Sequence, residues 1–217
     1  MVRFASLPMP RPPTLYLASA SPRRRELLRQ IGIECQPLAA DETEDPEALE
    51  AERPDEAPIR YVRRVTSAKL DAALQRLHRR GLAPGVVLCA DTTVALGRRI
   101  LGKPRDAAHA RDMLRSLAGR EHRVLSAVAL AWPQAQAAQP WSRAQALSDS
   151  RVRFAALDDA TIDAYIAGGE PFGKAGAYAV QGRAATFIQH IRGSYSGIMG
   201  LPLFETSALL RAAGIPA

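Results

Sequence analysis

The chain has 217 residues, of which 47% are hydrophobic, and a formal net charge of +7. It is long enough to bury a core, and it has no run of eighteen apolar residues, which argues against a membrane-spanning helix. Two cysteines far apart, Cys35 and Cys89, give neither a disulfide framework nor a zinc site. We expect a cytoplasmic, soluble protein with a loose tail over residues 1–13 and a single domain over residues 14–217.

The charge is distributed unevenly along the chain. Residues 41–56 hold nine acids and one arginine, so the rest of the chain carries a net charge of +15. A field of this sign suits a polyanionic partner, either nucleic acid or a small phosphorylated metabolite. Aromatic residues are only 6% of the chain and are not interleaved with the basic runs, so platforms for base stacking are poorly supplied. The composition favours the phosphorylated metabolite over nucleic acid.

The first predicted elements are a short strand and a helix within residues 15–26, Leu-Tyr-Leu-Ala-Ser-Ala-Ser-Pro-Arg-Arg-Arg-Glu. Ser21 suits the N-cap and Pro22 the first helical position. Three arginines at 23–25 then fall in the first turn, where the helix dipole normally favours acids. Serine hydroxyls, backbone N–H groups and guanidinium forks together suit a phosphate, although a solvated basic turn is the simpler alternative. No Gly-x-x-x-x-Gly-Lys-Ser/Thr sequence occurs, which excludes a P-loop ATPase.

Hydrophobic periodicity and turn residues predict the remaining elements in chain order. Helices are expected over about 59–79, 107–117, 159–166 and after Pro202. Strands are expected over 86–94, 124–132, 151–155 and 186–191, with residues 133–147 as a long hairpin connection or an irregular insert. Strands that alternate with helices predict an α/β fold.

An aspartate follows the apolar run that begins at residue 86. We expect Asp91 at the carboxyl end of a buried strand, where ligands bind in open α/β sheets. Together with Glu42 or Glu44 it can hold Mg²⁺, which needs oxygen ligands and is often held by one or two carboxylates plus phosphates. Asp91 can instead accept a proton from an attacking water.

Basic residues elsewhere complete the set that phosphoanhydride hydrolysis needs. Arg23, Lys103 and Lys174 would neutralise negative charge on a triphosphate. Each of them taken alone is as well explained as a surface residue, so their order along the chain carries the argument.

Five motifs in this order resemble those of the Maf family of nucleoside triphosphate pyrophosphatases. They are Leu-Ala-Ser-Ala-Ser-Pro-Arg-Arg at 17–24, Ala-Asp-Thr-Thr-Val at 90–94, Gly-Lys-Pro-Arg-Asp at 102–106, Lys-Ala-Gly-Ala-Tyr-Ala-Val-Gln-Gly at 174–182, and Gly-Ser-Tyr through Gly-Leu-Pro-Leu at 193–203. The resemblance spans residues 15 to about 210. It implies a cytoplasmic enzyme, commonly a homodimer, that uses Mg or Mn to cut a nucleoside triphosphate between the α and β phosphates. It also implies a mixed α/β fold with a long twisted sheet and two lobes around a nucleotide-binding cleft.

The resemblance assigns roles to residues of this chain by position. Asp91 looks like the catalytic proton acceptor of the family. The positions associated with substrate choice are matched by Arg23, Thr92 and Gln181. Other cleft positions are matched by Ser19, Lys69, Lys103 and Lys174. An acid before the second helix is also implied, and because the acidic run aligns in two registers, either Glu42 or Glu44 is the carboxylate on the metal side.

The stretch 174–178 with Gln181 resembles the branch of the family that prefers dTTP and UTP. A glutamine amide offers a donor and an acceptor, which suits the carbonyl, N–H and carbonyl edge of uracil or thymine. The predicted function is therefore hydrolysis of dTTP and UTP, with modified pyrimidine triphosphates left open. The alternatives are a 7-methyl-GTP pyrophosphatase and a non-catalytic, nucleotide- or nucleic-acid-binding regulator of cell division.

Overall fold

The computed structural model describes residues 13–134 and 140–217. The predicted tail lies outside them except for Pro13, as does the centre of the predicted 133–147 insert. The α-helices of the described part are α1 (Pro22–Gln30), α2 (Pro58–Arg79), α3 (Ala107–Leu117), α4 (Asp159–Ala167), α5 (Tyr195–Met199) and α6 (Leu203–Ala212). Its strands are β1 (Leu15–Leu17), β2 (Gln36–Pro37), β3 (Val86–Leu96), β4 (Arg99–Leu101), β5 (Glu121–Pro133), β6 (Trp141–Phe154) and β7 (Ile188–Arg192). Short 3-10 helices cover Ala48–Glu50, Ala175–Ala177 and Arg183–Phe187.

These strands form one mixed sheet in the order β2-β1-β3-β5-β6-β7, and β4 pairs with β3. β1 runs parallel to β2 and β3, whereas the other pairs are antiparallel. Helix α2 packs on β3 and β5, and α5 and α6 pack on β5 and β6. Because the α2 contacts are with Leu125 and Ala127 while Ile198 of α5 shares a cluster with Val124, the helices cover opposite faces. The mixed α/β prediction is confirmed, and none of the helices described is long and apolar enough to cross a bilayer.

The central strand β3 shows where a ligand can enter the sheet. On one edge it pairs with β1 only as far as Leu88 and with β4 only from Val94 onward. Between these partners, residues 89–93 have β5 on the other edge and no strand of the described chain on this one. The β-branched residues that follow Asp91 continue the strand, so Asp91 lies in its middle and the expectation of a strand end is wrong. A ligand can therefore reach Asp91 through the unpaired edge of β3, and not at the end of the strand as predicted.

Most predicted elements are confirmed, and the differences have local causes. Helices α2 and α3 match the predicted ranges to within one residue. Asp106 caps α3 by accepting a hydrogen bond from the backbone N–H of His109 at 2.7 Å. Residues 141–147, predicted as connection or insert, belong to β6 and pair with β5 as far as Pro133↔Trp141. Pairing along β5 overrides the weak strand preference of this Ala- and Gln-containing stretch.

A buried histidine connects β5 to the chain after α4. His122 Nε2 lies 2.8 Å from the Tyr178 hydroxyl, and the imidazole packs edge-on against Phe154 with 5.0 Å between ring centroids. Burial lowers the pKa of His122 to about 4 from its usual 6.5. The unfolded chain therefore takes up a proton at higher pH than the folded chain does, and stability falls as the pH drops from about 6.5 towards 4.

We expect this histidine to remove up to roughly 3 kcal/mol of folding stability across that pH window. His122→Gln keeps a neutral hydrogen-bonding group but does not titrate, so its stability is expected to depend less on pH. Urea denaturation of both proteins between pH 4 and 7 measures the difference. Parallel pH profiles for the two proteins would rule out this role for His122.

Candidate functional site

A cavity of about 810 Å³ opens beside the uncovered edge of β3. Its volume falls in the range of small-molecule sites. It is lined by the chain after β1, the start of α1, the acidic segment, α2, β3 and three later loops. All the predicted site residues except Glu42 line it, namely Ser19, Arg23, Glu44, Lys69, Asp91, Thr92, Lys103, Lys174 and Gln181. The fold thus brings together residues that are far apart in the sequence.

The cavity reaches both faces of the sheet because neighbouring residues of a strand point in opposite directions. Asp91 points to the face covered by α2, where it meets Lys69. Thr92 points to the α5 face, where its hydroxyl lies 2.8 Å from that of Ser126. Val94, two residues on, faces the same way as Thr92 and contacts Gly176 of the 174–182 loop. Asp91 and Thr92 therefore reach the cavity from different faces of the sheet.

Asp91 is 7% exposed and is held by a lysine that bridges two carboxylates. Lys69 Nζ donates to Asp91 Oδ1 and to Glu50 Oε1, each at 2.6 Å. Burial raises the pKa of Asp91, while the charges of Lys69 and Arg24 oppose that rise. A buried carboxylate with a raised pKa, hydrogen-bonded to a neighbouring lysine, suits a general base.

Glu50 is the functional candidate that sequence reasoning missed. It comes from the 3-10 helix Ala48–Glu50, and its Oε2 lies 3.5 Å from Lys103 Nζ. Burial acts to raise the pKa of Glu50, but the charges of Lys69 and Lys103 outweigh burial and hold it below its usual range. Glu50 is therefore an ionised carboxylate joined to Asp91 through Lys69.

The two acids predicted for the metal side are placed differently. Glu44 reaches the cavity but forms two hydrogen bonds with Arg76, from Nε at 2.7 Å and from Nη2 at 2.5 Å, and a third with Arg79 at 2.6 Å. These bonds lower the pKa of Glu44. Glu42 is exposed and does not line the cavity. The structure joins Asp91 to Glu50 and gives Glu44 two arginine partners.

Helix α2 also fixes the backbone around Glu50. The Tyr61 hydroxyl donates to the Glu50 carbonyl at 2.8 Å, and Arg64 Nη2 donates to the Ala51 carbonyl at 2.9 Å. Arg64 forms two further hydrogen bonds of 2.7 Å with the Glu56 carboxylate. Three acids of the run, Glu44, Glu50 and Glu56, therefore pair with basic residues of α2, and these contacts place Glu50.

Basic and hydroxyl groups at the start of α1 form another wall. Arg24 Nε donates to the Gly200 carbonyl at 2.8 Å and Arg24 Nη1 donates to Ser19 Oγ at 3.0 Å. Ser21 is the N-cap residue, but its side chain makes no capping hydrogen bond. Burial and the nearby charge of Arg23 lower the pKa of Lys174. These groups can bind a phosphate. Arg24, which was not among the predicted site residues, lines this wall together with the predicted Arg23.

Glu170 anchors the 174–182 loop through hydrogen bonds near both of its ends. Glu170 Oε2 accepts from the Arg183 N–H at 2.8 Å, and its main-chain carbonyl accepts from Lys174 Nζ at 2.6 Å. Gly176 has φ +69°, and a side chain there would come within 2.8 Å of Val94, so the loop needs glycine to lie against β3. This packing leaves Gln181 exposed at the cavity.

The donor set also bears on a metal cofactor. Among residues 13–134 and 140–217 there is no group of three or more histidine, cysteine or acidic side chains that could hold a metal ion. Asp91 and Glu50 nevertheless supply two carboxylates at one wall of the cavity. Mg²⁺ is usually held by one or two carboxylates together with substrate phosphates and water. The residues present fit a hard divalent cation that binds together with a phosphorylated ligand.

Fold and site together define an α/β protein whose cleft combines a cationic wall with a buried carboxylate, an arrangement suited to phosphorylated ligands. The profile of the family described as Maf-like protein matches residues 14–213, and the chain belongs to this family. The dTTP/UTP pyrophosphatase of Polaromonas sp. is 59% identical over 207 residues, covering 95% of this chain and 99% of that protein. The dTTP/UTP pyrophosphatase of Ralstonia nicotianae is 59% identical over 203 residues, covering 94% and 95%. The Ham1 protein of Staphylococcus aureus aligns with a TM-score of 0.46 and 11% identity, covering 92% of this chain and 98% of that one.

Proposed function

We propose that this protein hydrolyses dTTP and UTP between the α and β phosphates, releasing the monophosphate and pyrophosphate. The observation that carries this proposal is Asp91, a buried carboxylate joined through Lys69 to Glu50 in a cleft with a cationic wall. The names of relatives 59% identical over nearly the whole chain support the choice of substrate.

In the proposed reaction, water adds to the α-phosphorus while the bond to the oxygen bridging to the β-phosphate breaks. Asp91 accepts the proton of the water, and its raised pKa favours that acceptance. Lys69 orients the Asp91 carboxylate through its 2.6 Å hydrogen bond. Arg23 and Lys103, both at the cavity, neutralise charge that develops on the phosphate oxygens.

The proposed cofactor is a divalent cation, Mg²⁺ or Mn²⁺. Glu50 and Asp91 would hold it, in place of the Glu42 or Glu44 that the sequence suggested. When bound, the cation supplies further neutralisation of the phosphate charge and helps to orient the triphosphate.

The nucleoside end of the substrate is assigned to the opposite face of β3. Thr92 points to that face, and Gln181 and Arg23, which lies at the start of α1, also line the cavity. A side-chain amide that hydrogen-bonds the base edge is able to discriminate strongly between bases. This separates base reading from hydrolysis, which takes place beside Asp91.

Release of pyrophosphate by the purified protein tests the proposal across dTTP, UTP, CTP, ATP, GTP and 7-methyl-GTP, with Mg²⁺ or Mn²⁺ present. We expect turnover mainly of dTTP and UTP. A preference for 7-methyl-GTP would keep the reaction but overturn the pyrimidine assignment. Bound nucleotide without turnover of any of the six would favour a non-catalytic binding protein.

A matched pair of variants tests the metal assignment. Glu50→Gln is expected to raise the Mn²⁺ concentration needed for half-maximal turnover by roughly 10-fold or more, because it removes a charged oxygen ligand. Glu42→Gln, which alters an exposed acid of the same segment away from the cavity, is the control and should change nothing. Direct Mn²⁺ binding in the presence of an uncleavable nucleotide, followed by electron paramagnetic resonance, provides a readout independent of turnover. Weaker binding in Glu42→Gln than in Glu50→Gln would reverse the assignment.

A homodimer and a cytoplasmic location are also part of the proposal, and both come from the family resemblance. Light scattering measures the oligomeric state of the purified protein. A mass near the 23.5 kDa of one chain would contradict the dimer. Cell fractionation tests the location.

A further inference from the structure

A short chain of hydroxyl groups fixes the direction of one hydrogen bond in the cavity wall. Ser126 Oγ donates to the Gly197 carbonyl at 2.6 Å and lies 2.8 Å from Thr92 Oγ1. Ser126 is 1% exposed. A hydroxyl has one hydrogen to donate, and that of Ser126 is used by the Gly197 carbonyl. The hydrogen between the two side chains therefore comes from Thr92.

The acceptor at the end of this chain is held firmly. Gly197 lies within α5, and its carbonyl also accepts the backbone N–H of Gly200 at 3.0 Å. Its own N–H is capped by Ser194 Oγ at 2.9 Å. The carbonyl cannot turn away without loss of these bonds. The fold therefore sets the direction of the hydrogen bonds, from Thr92 to Ser126 and from Ser126 to Gly197.

Thr92 consequently faces the cavity as an acceptor. Its one hydrogen points to Ser126, which leaves oxygen lone pairs for a ligand. Gly200, with φ +125°, leaves this side open, since a side chain there would begin 3.9 Å from Thr92 Oγ1. Only a ligand group that carries a hydrogen can bond to the Thr92 oxygen.

An acceptor of fixed polarity provides something that Gln181 alone cannot. A glutamine amide that rotates by half a turn exchanges its donor and acceptor, so it can match the edge of uracil or that of cytosine equally well. The two bases differ at N3, which carries a hydrogen in uracil and thymine and a lone pair in cytosine, and at C4, which carries an acceptor oxygen in uracil and thymine and a donor amino group in cytosine. An acceptor opposite C4 would favour cytosine, so we place the Thr92 oxygen opposite N3, where it would attract uracil and thymine and repel cytosine.

We propose that Ser126 is a positioning residue for base selection: by holding the Thr92 hydroxyl as an acceptor, it favours uracil and thymine over cytosine at this site. This inference rests on the proposed function and names the feature that separates UTP from CTP. Ser126 acts through Thr92 and does not itself touch the nucleotide.

The test compares kcat/KM for UTP and CTP in the wild type and in Ser126→Ala. Without the serine, the Thr92 hydroxyl is free to donate, so we expect the UTP-to-CTP ratio to fall at least tenfold, mainly through a lower KM for CTP, with kcat for UTP within about threefold. Ser148→Ala is the matched control, because Ser148 pairs directly with Ser126 in the sheet and is also buried. It should leave the ratio unchanged.

An equal change for both nucleotides in Ser126→Ala would overturn the inference, since a general packing defect or a contact with the sugar would affect UTP and CTP alike. If Ser126→Ala does not fold, Thr92→Val provides the second variant. It lacks the acceptor but keeps the shape, so its ratio should also fall, and an unchanged ratio would again overturn the inference.

Binding of α,β-methylene UTP and α,β-methylene CTP, which cannot be cleaved between these phosphates, separates this inference from the proposed function. If the wild type prefers the uridine analogue and Ser126→Ala loses that preference, base selection stands even if UTP is not turned over. If UTP is turned over but Ser126→Ala keeps the wild-type preference in both assays, the reaction stands and the role of Ser126 is wrong.

Discussion

Asp91→Asn is expected to reduce pyrophosphate release from dTTP and UTP by roughly a thousandfold, within the range that general base catalysis contributes. Asparagine has nearly the same shape as aspartate but cannot accept the proton of the attacking water. Burial raises the pKa of Asp91, so the wild-type carboxylate is a better proton acceptor than an exposed one. Nucleotide should still bind, because Arg23 and Lys103 are unchanged.

Asp149→Asn is the matched control for this experiment. Asp149 also lies on a strand and is paired with a basic residue, Arg123 at 2.6 Å, but it does not line the cavity. Steady-state turnover and nucleotide binding by calorimetry are measured for both variants. Full activity in Asp91→Asn, or an equal loss in Asp149→Asn, would contradict the assigned role of Asp91.

Arg76→Ala is expected to destabilise the fold by about 3 kcal/mol, because it removes a buried guanidinium, leaves Glu44 with Arg79 as its remaining arginine partner and takes a donor from the buried Leu38 carbonyl. Arg76 is 5% exposed and binds the Glu44 carboxylate through two nitrogens. A third nitrogen, Nη1, donates to the Leu38 carbonyl at 2.7 Å. The truncation therefore releases residues 38–44 from α2 at two points, Leu38 and Glu44. Urea denaturation measures the loss.

Arg79→Ala is the control, since Arg79 also binds Glu44 but has a half-exposed side chain. An exposed ion pair contributes at most about 1 kcal/mol, so this variant should remain close to the wild type in stability. Equal losses in the two variants would contradict the structural role given to Arg76. A large loss in Arg76→Ala alone supports Glu44 as a structural acid, distinct from Glu50.

The order of the elements could be predicted because it depends on local signals. Helix α2 shows a helical repeat of apolar residues, and Asp106 and Gly119 mark the two ends of α3. The extent of β6 could not be predicted, since residues 141–147 have only a weak strand preference of their own and pair along their whole length with β5. Whether such a stretch forms a strand depends on pairing with a segment that is distant in the sequence, so local sequence patterns cannot predict it.

The candidate site likewise contains residues that sequence motifs predict and residues that only the structure identifies. Arg23, Asp91, Lys103 and Gln181 belong to motifs, and the fold brings all of them to one cavity. Glu50 stands in a run of nine acids with no periodicity, and it is distinguished only by its contact with Lys69 on α2. Ser126 depends on strand register, which sets it opposite Thr92. Residues of this second kind are found only once tertiary contacts are known.

In the proposed reaction, this cleft cuts UTP between the α and β phosphates with Asp91 as the base. The most direct measurement is product analysis by ³¹P NMR after incubation of UTP with the wild type and with Asp91→Asn, each with Mg²⁺. We expect UMP and pyrophosphate in equal amounts from the wild type, and unchanged UTP from the variant over the same time. UDP with inorganic phosphate, or the same products from both proteins, would contradict it.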